Sequence, residues 1–327
     1  CRADTVRPVP AGIVPTGVAD VPARSRYRRR PRMTVLLIPV LIVVVAVVAL
    51  RSHPSGGAGS TYAIDPSAFS PGACVSYAPA SGNRHHTVFL DAGHGGIDPG
   101  AVGTTEGGAT IYESTESLAV ELDAAKILRA DGFRVVVSRT RQSSVVRLNS
   151  QEASGGVLTL KGAHDDVVAR DVCANRAHAQ ALVGIYFDAA SSSAAGSLTA
   201  YDRARPFWKK SLQLATFVQR DVLQELNSNG WQIPDIGVET DATLGSYVQP
   251  ASGSDSAYAR DALNYNHLLL LGPSMSGYFT TPSEMPGALI EPLFITAPFE
   301  ATIAASVSGQ HAIALGVARA VERYFGV

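Results

Sequence analysis

Cysteine is scarce in this chain, at three in 327 residues, which leaves room for one internal bridge at most. Internal repeats are missing, and with them the case for a solenoid or propeller. No G-x-S-x-G elbow occurs, which sets aside an α/β hydrolase built on a serine nucleophile. Basic charge is also in short supply outside one segment. Residues 1–32 hold eight Arg against Asp4 and Asp20, a net of +6, so the remainder carries −7 in a chain whose total is −1. Nothing in that balance suggests nucleic-acid binding.

What is abundant is apolar residues, at 46%. Part of the excess sits in residues 35–50, VLLIPVLIVVVAVVAL, which contain no charge and are flanked by Arg32 and Arg51. With Met33 and Thr34 the run reaches 18 residues, about 27 Å as helix and enough to cross a bilayer. Six Arg lie in 24–32, immediately before it, so the positive-inside tendency keeps residues 1–32 cytoplasmic and sends everything after Arg51 outside. A cleaved signal peptide competes with this reading, but the long basic region and the lack of a small-x-small site after Leu50 favour an uncleaved anchor over 33–51. Residues 52–84, rich in Gly, Ser, Ala and Pro, read as an extracytoplasmic linker, and 85–327 as the folded domain. The expected location is the cell membrane, by a single pass, with the domain outside. There Cys74 and Cys173 could pair, or remain as two buried thiols.

The domain opens with TVFLDAGHGGIDPGAVG, residues 87–103. An apolar run bounded by Asp and Gly reads as a buried strand ending in a loop. The glycines let the chain turn and leave room beside the His94 ring. Residues 113–130 follow as a helix, with Leu118, Leu122, Ala125 and Leu128 on one face and Gly132 to stop it. Beyond it the pattern predicts strands over 133–138, 182–187, 198–201, 267–271 and 288–291, and helices over 166–180, 211–226 and 302–325. Residues 141–165 and 227–264 read as insertions. Alternating strands and helices argue for one α/β domain, a mostly parallel sheet flanked by helices on both faces.

Zinc-assisted hydrolysis needs about three protein ligands, an open position for water, and a base. His94 at a strand end is the first candidate ligand. Glu113 is the second, opening a helix that can turn its carboxylate back over the strand ends, with Glu116 one turn on as a rival. Glu291 ends the apolar strand LIEPLF, and a carboxylate embedded there needs a partner or a task.

His94 within Gly93–Gly100 (GHGGIDPG), Glu113 five residues before Leu118, Arg170 four residues ahead of Ala174–Ala177 (ANRA), and Glu291 at a late strand end together resemble the zinc-dependent N-acetylmuramoyl-L-alanine amidase family of the amidase-3 type. The likeness runs from about Thr87 to the C-terminus. It implies a bacterial cell-wall hydrolase that cleaves the amide between N-acetylmuramic acid and L-alanine in peptidoglycan. The implied roles are His94 and Glu113 as Zn²⁺ ligands and Glu291 as the general base. One position departs from the family. Where its strand carries the third zinc-ligand histidine, this chain reads Tyr186. Tyr186 could ligate as phenolate; His164 or His267, and less readily His178, could substitute; or zinc binding could be weak or lost. Two functions follow: an anchored amidase, or a catalytically impaired amidase-like domain that binds peptidoglycan or regulates a cell-wall hydrolase.

Overall fold

The computed structural model describes residues 66–244 and 257–327. The basic N-terminal segment, the expected span over 33–51 and the first part of the linker lie outside the described residues, as does the segment 245–256.

In chain order the strands and helices are β1 (Ala73–Tyr77), β2 (Thr87–Ala92), β3 (Val102–Thr104), β4 (Thr110–Tyr112), α1 (Glu113–Ala130), β5 (Arg134–Arg139), β6 (Ala153–Ser154), β7 (Val157–Leu158) and α2 (Leu160–Arg176). They continue with β8 (Ala181–Ile185), β9 (Ser197–Tyr201), α3 (Trp208–Ser228), β10 (Asp235–Thr240), α4 (Asp241–Leu244), α5 (Ala257–Asn264), β11 (Gly287–Glu291), α6 (Pro298–Ala304) and α7 (Val307–Phe325). Seven strands form the central sheet in the order β1-β5-β2-β8-β11-β9-β10. The pairs β5–β2, β2–β8, β8–β11 and β9–β10 are parallel; β1–β5 and β11–β9 are antiparallel. The mostly parallel α/β sheet expected from the alternation is therefore present.

Both faces of the sheet are covered, which is why its inner strands read as unbroken apolar runs. Val88, Leu90, Val135, Val137, Val183 and Ile185 point into one core with residues of α1, α3 and α7. Their neighbours Phe89, Val136, Leu182 and Tyr186 point into a second core with α2 and the segment 262–285. The period of two thus assigns each strand residue to a core, and it puts Tyr186 on the α2 side.

Several elements differ from their sequence reading. The expected strand at 267–271 is a buried turn, closed by the Leu271 and Gly272 amides donating to the Leu268 carbonyl. Leu268–Leu271 cover the sheet face in the second core; an apolar run marks burial without distinguishing a strand from a turn. The region 227–264 contains β10, α4 and α5, where an irregular insertion is expected. Ala73–Tyr77, inside the stretch read as linker, is the antiparallel edge strand β1, and the Cys74–Cys173 disulfide fastens it to α2. Helix α2 starts at Leu160, ahead of the expected 166, because Thr159 caps it by accepting from the Gly162 amide. The C-terminal helix is broken at Ser306, whose hydroxyl caps α7 by accepting from the Gly309 amide. Helix α1 matches its expected bounds, but its buried stripe is Ser117, Val120, Glu121, Ala124 and Leu128, with Leu118 and Leu122 half-buried beside it.

Candidate active site

The parallel strands β2, β8 and β11 are consecutive neighbours in the sheet, so their carboxyl ends deliver His94, Tyr186 and Glu291 to one edge, the usual place for a site in an α/β sheet. The β2 loop crosses that edge with His94 itself at φ +60, followed by Gly95 at +129 and Gly96 at +68. A non-glycine residue in the left-handed region is uncommon and needs support from its surroundings. Two buried arginines provide it. Arg139 donates to the Ala92 and Gly93 carbonyls, and Arg170 to the Ala92 and His94 carbonyls. Arg170 is itself held by Asp91 (2.6 Å) and Asp166 (2.8 Å).

His94 is buried, its Nδ1 2.8 Å from Asp98 Oδ2 and its Nε2 3.1 Å from Glu113 Oε1. Burial disfavours the charged ring, but Asp98 and Glu113 outweigh it and raise its pKa from 6.5 to about 10. Glu113 is fixed from both sides, Oε1 accepting from the Phe187 amide (3.0 Å) and Oε2 from the Ala101 amide (2.8 Å). Gly100 makes this packing possible, because a Cβ there would stand 2.7 Å from both Glu113 Oε2 and His94 Cδ2. Gly93 makes room for a different ring: a Cβ there would lie 2.5 Å from Tyr186 Cδ1. Glu291, half-buried at the end of β11, is pushed well above the carboxylate range by burial, then by Asp188 and Glu113, with His94 pulling the other way. Asp188, beside them after β8, is raised to about 6, chiefly by burial.

The structure thus brings His94, Glu113 and Glu291 together. It turns Glu116 away, to α7, where its carboxylate accepts from Gln310 (2.7 Å). Tyr186 lies edge-on to His94, ring centroids 5.6 Å apart, but its hydroxyl donates to Asp91 Oδ2 at 3.0 Å. Burial, followed by the Asp91 charge, pushes the phenol well above its usual pKa. A phenolate ligand is the opposite of what this environment favours. His164 sits in the first turns of α2, with Asp165 at 2.9 Å and the Tyr278 ring at 4.8 Å. His178 follows α2 at φ +48. His267 belongs to another cluster, with Asp202 and Asp241.

The donors can be tested against zinc. The 3.1 Å between His94 Nε2 and Glu113 Oε1 is close to the roughly 3.3 Å that separates two ligands on a tetrahedral zinc with bonds near 2 Å. No third ligand among the described residues completes this pair. Among the described residues, the one group of three His, Cys, Asp or Glu with ligand atoms all within 4.8 Å is Asp202–Asp241–His267. The residues present fit a two-ligand site and do not fit a three-ligand catalytic zinc.

Sequence reasoning missed Asp91, Asp98 and Arg139. Arg139 had a visible signal: a charge ending the apolar strand 133–138, the same anomaly that singled out Glu291.

A sequence model of the N-acetylmuramoyl-L-alanine amidase family (Amidase_3) matches residues 88–323. No curated protein matches significantly by sequence. Among solved structures, the fold is similar to the CwlD amidase of Clostridioides difficile, solved in complex with the GerS lipoprotein, at 20% identity and TM-score 0.52 over 74% of this chain and 99% of that one. An N-acetylmuramoyl-L-alanine amidase of Clostridium difficile aligns at 24% identity and TM-score 0.48, over 74% and 97% of the two chains.

Proposed function

This chain belongs to the N-acetylmuramoyl-L-alanine amidase family, and from that premise we propose that it binds peptidoglycan outside the membrane while hydrolysing it poorly or not at all. The observation that carries this reading is the commitment of the Tyr186 hydroxyl to Asp91 at the corner where the family places its third metal ligand. A two-ligand site holds zinc far more weakly than a three-ligand one, and the polarisation that zinc gives a scissile carbonyl weakens with its occupancy. When bound, zinc would supply Lewis acidity and an acidified water. This chain's own contribution is a fixed loop, an anchored Glu113, and Glu291 poised as a proton carrier near them.

The arrangement around the site is otherwise intact. Arg139 and Arg170 still hold the loop, and Gly100 still opens space between Glu113 and His94. A domain that keeps the frame and loses one ligand is suited to recognise the substrate and to recruit or control a competent hydrolase. The basic segment 1–32 and the apolar run 33–51 would tether it to the cell membrane by a single pass. The Cys74–Cys173 disulfide supports that placement, because such bridges persist in oxidising compartments outside the cytoplasm.

One observation favours the second reading, an active amidase: Glu291 survives at the strand end with its proton affinity raised, as a general base and acid requires. The two readings separate in one experiment on the full chain. It should co-sediment with purified peptidoglycan, and stem-peptide release should not exceed that of the His94→Gln/Glu113→Gln variant. Release that His94→Gln abolishes would overturn the proposal in favour of hydrolysis.

A further inference from the structure

We propose that Asp202, Asp241 and His267 form a second cation site, for a divalent transition metal of the zinc class, on the sheet edge opposite His94. Topology creates it. Strands β9 and β10 are parallel, with Tyr201 paired to Thr240, so the next residue of each, Asp202 and Asp241, emerges beside the other. Because β9 runs antiparallel to β11, this pair leaves the sheet at the edge away from Glu291 and His94. The buried turn after Tyr265 then lays His267 over both carboxylates.

The three side chains converge on one point. His267 Nδ1 stands 2.9 Å from Asp202 Oδ2 and 3.3 Å from Asp241 Oδ2, at or a few tenths of an ångström below the roughly 3.3 Å expected between ligands on a tetrahedral ion. Both aspartates are 1% exposed. Each has one oxygen fixed by backbone: Asp202 Oδ1 accepts from the Ala204 and Arg205 amides, and Asp241 Oδ2 from the Leu268 amide at 3.0 Å. Of their other oxygens, Asp202 Oδ2 faces the His267 ring and Asp241 Oδ1 is buried and completes no hydrogen bond. A buried carboxylate oxygen without a partner is costly, and two adjacent carboxylates repel unless a proton or a metal cation lies between them. A divalent ion ligated by both and by the neutral imidazole removes both penalties. One nitrogen and two carboxylates suit zinc or manganese better than magnesium or calcium, which take all-oxygen shells. His267 is 26% exposed on its side chain, so the ion has a path from solvent. Its role would be structural, a pin joining the ends of β9 and β10 to the turn that closes the second core.

The test uses the full chain carrying His94→Gln/Glu113→Gln, stripped of metal and titrated with Zn²⁺ alone. This parent should bind one zinc per chain, which excess magnesium does not displace. Adding Asp241→Asn or His267→Gln should weaken binding at least about tenfold, since ligand-shell losses act on that scale or above it. Thermal unfolding guards against misfolding: without zinc the His267→Gln chain should still unfold cooperatively, and zinc should raise the midpoint of the parent only. No zinc on the parent, or undiminished binding in both variants, would overturn the site.

Discussion

Tyr186→His is the substitution that most directly probes the metal corner proposed to be missing, and its effect has two parts of opposite sign. Without metal the change should be destabilising. Asp91 loses the hydroxyl that reaches its Oδ2 at 3.0 Å, a bond to a charged group worth about 1.5–3 kcal/mol, although Arg170 still pairs with the other oxygen. The imidazole also fills less of a pocket in which the phenol ring packs against Gly93 so closely that no Cβ fits. Partial collapse of such a space leaves a penalty on the order of 1 kcal/mol. The metal-free variant should therefore be roughly 2–4 kcal/mol less stable than the parent. With zinc the sign reverses, because a third ligand joins His94 and Glu113. Free zinc at about 100 times its dissociation constant returns roughly 2.7 kcal/mol. Urea unfolding with and without zinc reads both terms, and a His267→Gln background keeps the opposite edge of the sheet silent. Stem-peptide release should appear in the same variant and disappear again on adding Glu291→Gln. If zinc fails to stabilise Tyr186→His, the third corner is not the sole defect and the reasoning from Tyr186 fails.

Two further outcomes follow from the site and its anchorage. In the metal-free chain His94 is raised from 6.5 to about 10, so its charged form favours the fold. That contribution is complete below the unfolded value and is lost as pH rises through the folded one. The stability gap between wild type and His94→Gln should therefore shrink between pH ~6 and pH ~10 in urea unfolding; a constant gap would mean that Asp98 and Glu113 do not hold the charge. Cys74 and Cys173 are 99 residues apart in sequence, and closing a loop of that length is worth up to about 4.7 kcal/mol through the unfolded chain. Cys74→Ser/Cys173→Ser should lower the urea midpoint accordingly and free β1 to exchange its amides first, whereas an unchanged midpoint would show the bridge to be incidental.

The parts of this molecule that were legible in its sequence are those where one chemical signal has one structural meaning. The β2 and β8 runs are apolar on consecutive residues because helices or buried turns cover both faces, and that pattern has few alternatives. His94 and Glu291 stood out because ionisable groups at the ends of such strands require an explanation, whereas Glu113 was marked by its place at the start of a helix and its spacing to Leu118. The same rule, applied to Arg139, would have found a residue that holds the site loop. Strand β1 escaped because its burial is only partial and its partner lies far along the chain. The turn at Leu268–Leu271 escaped because burial alone does not specify backbone direction.

Tyr186 shows where residue identity stops and register takes over. That Tyr186 departs from the pattern the resemblance implies was readable from order alone; what the tyrosine does there was not. The register pairs Asp91 with Gly184 and Ala92 with Ile185 on the neighbouring parallel strand. Asp91 and Tyr186 consequently emerge toward the same core, the one containing α2, where Arg170 already approaches Asp91. A hydroxyl arriving there meets a buried carboxylate with a free oxygen. It donates to that oxygen, because the alternative is to leave two buried polar groups unpaired. A histidine at the same position has no phenolic hydroxyl to place on Asp91. On the proposed reading, the tyrosine therefore costs the site a metal ligand while it gives a buried anion a partner. That partnership makes the tyrosine consistent with the fold around it, in which both arginines hold the loop carbonyls and Glu291 stays at its strand end.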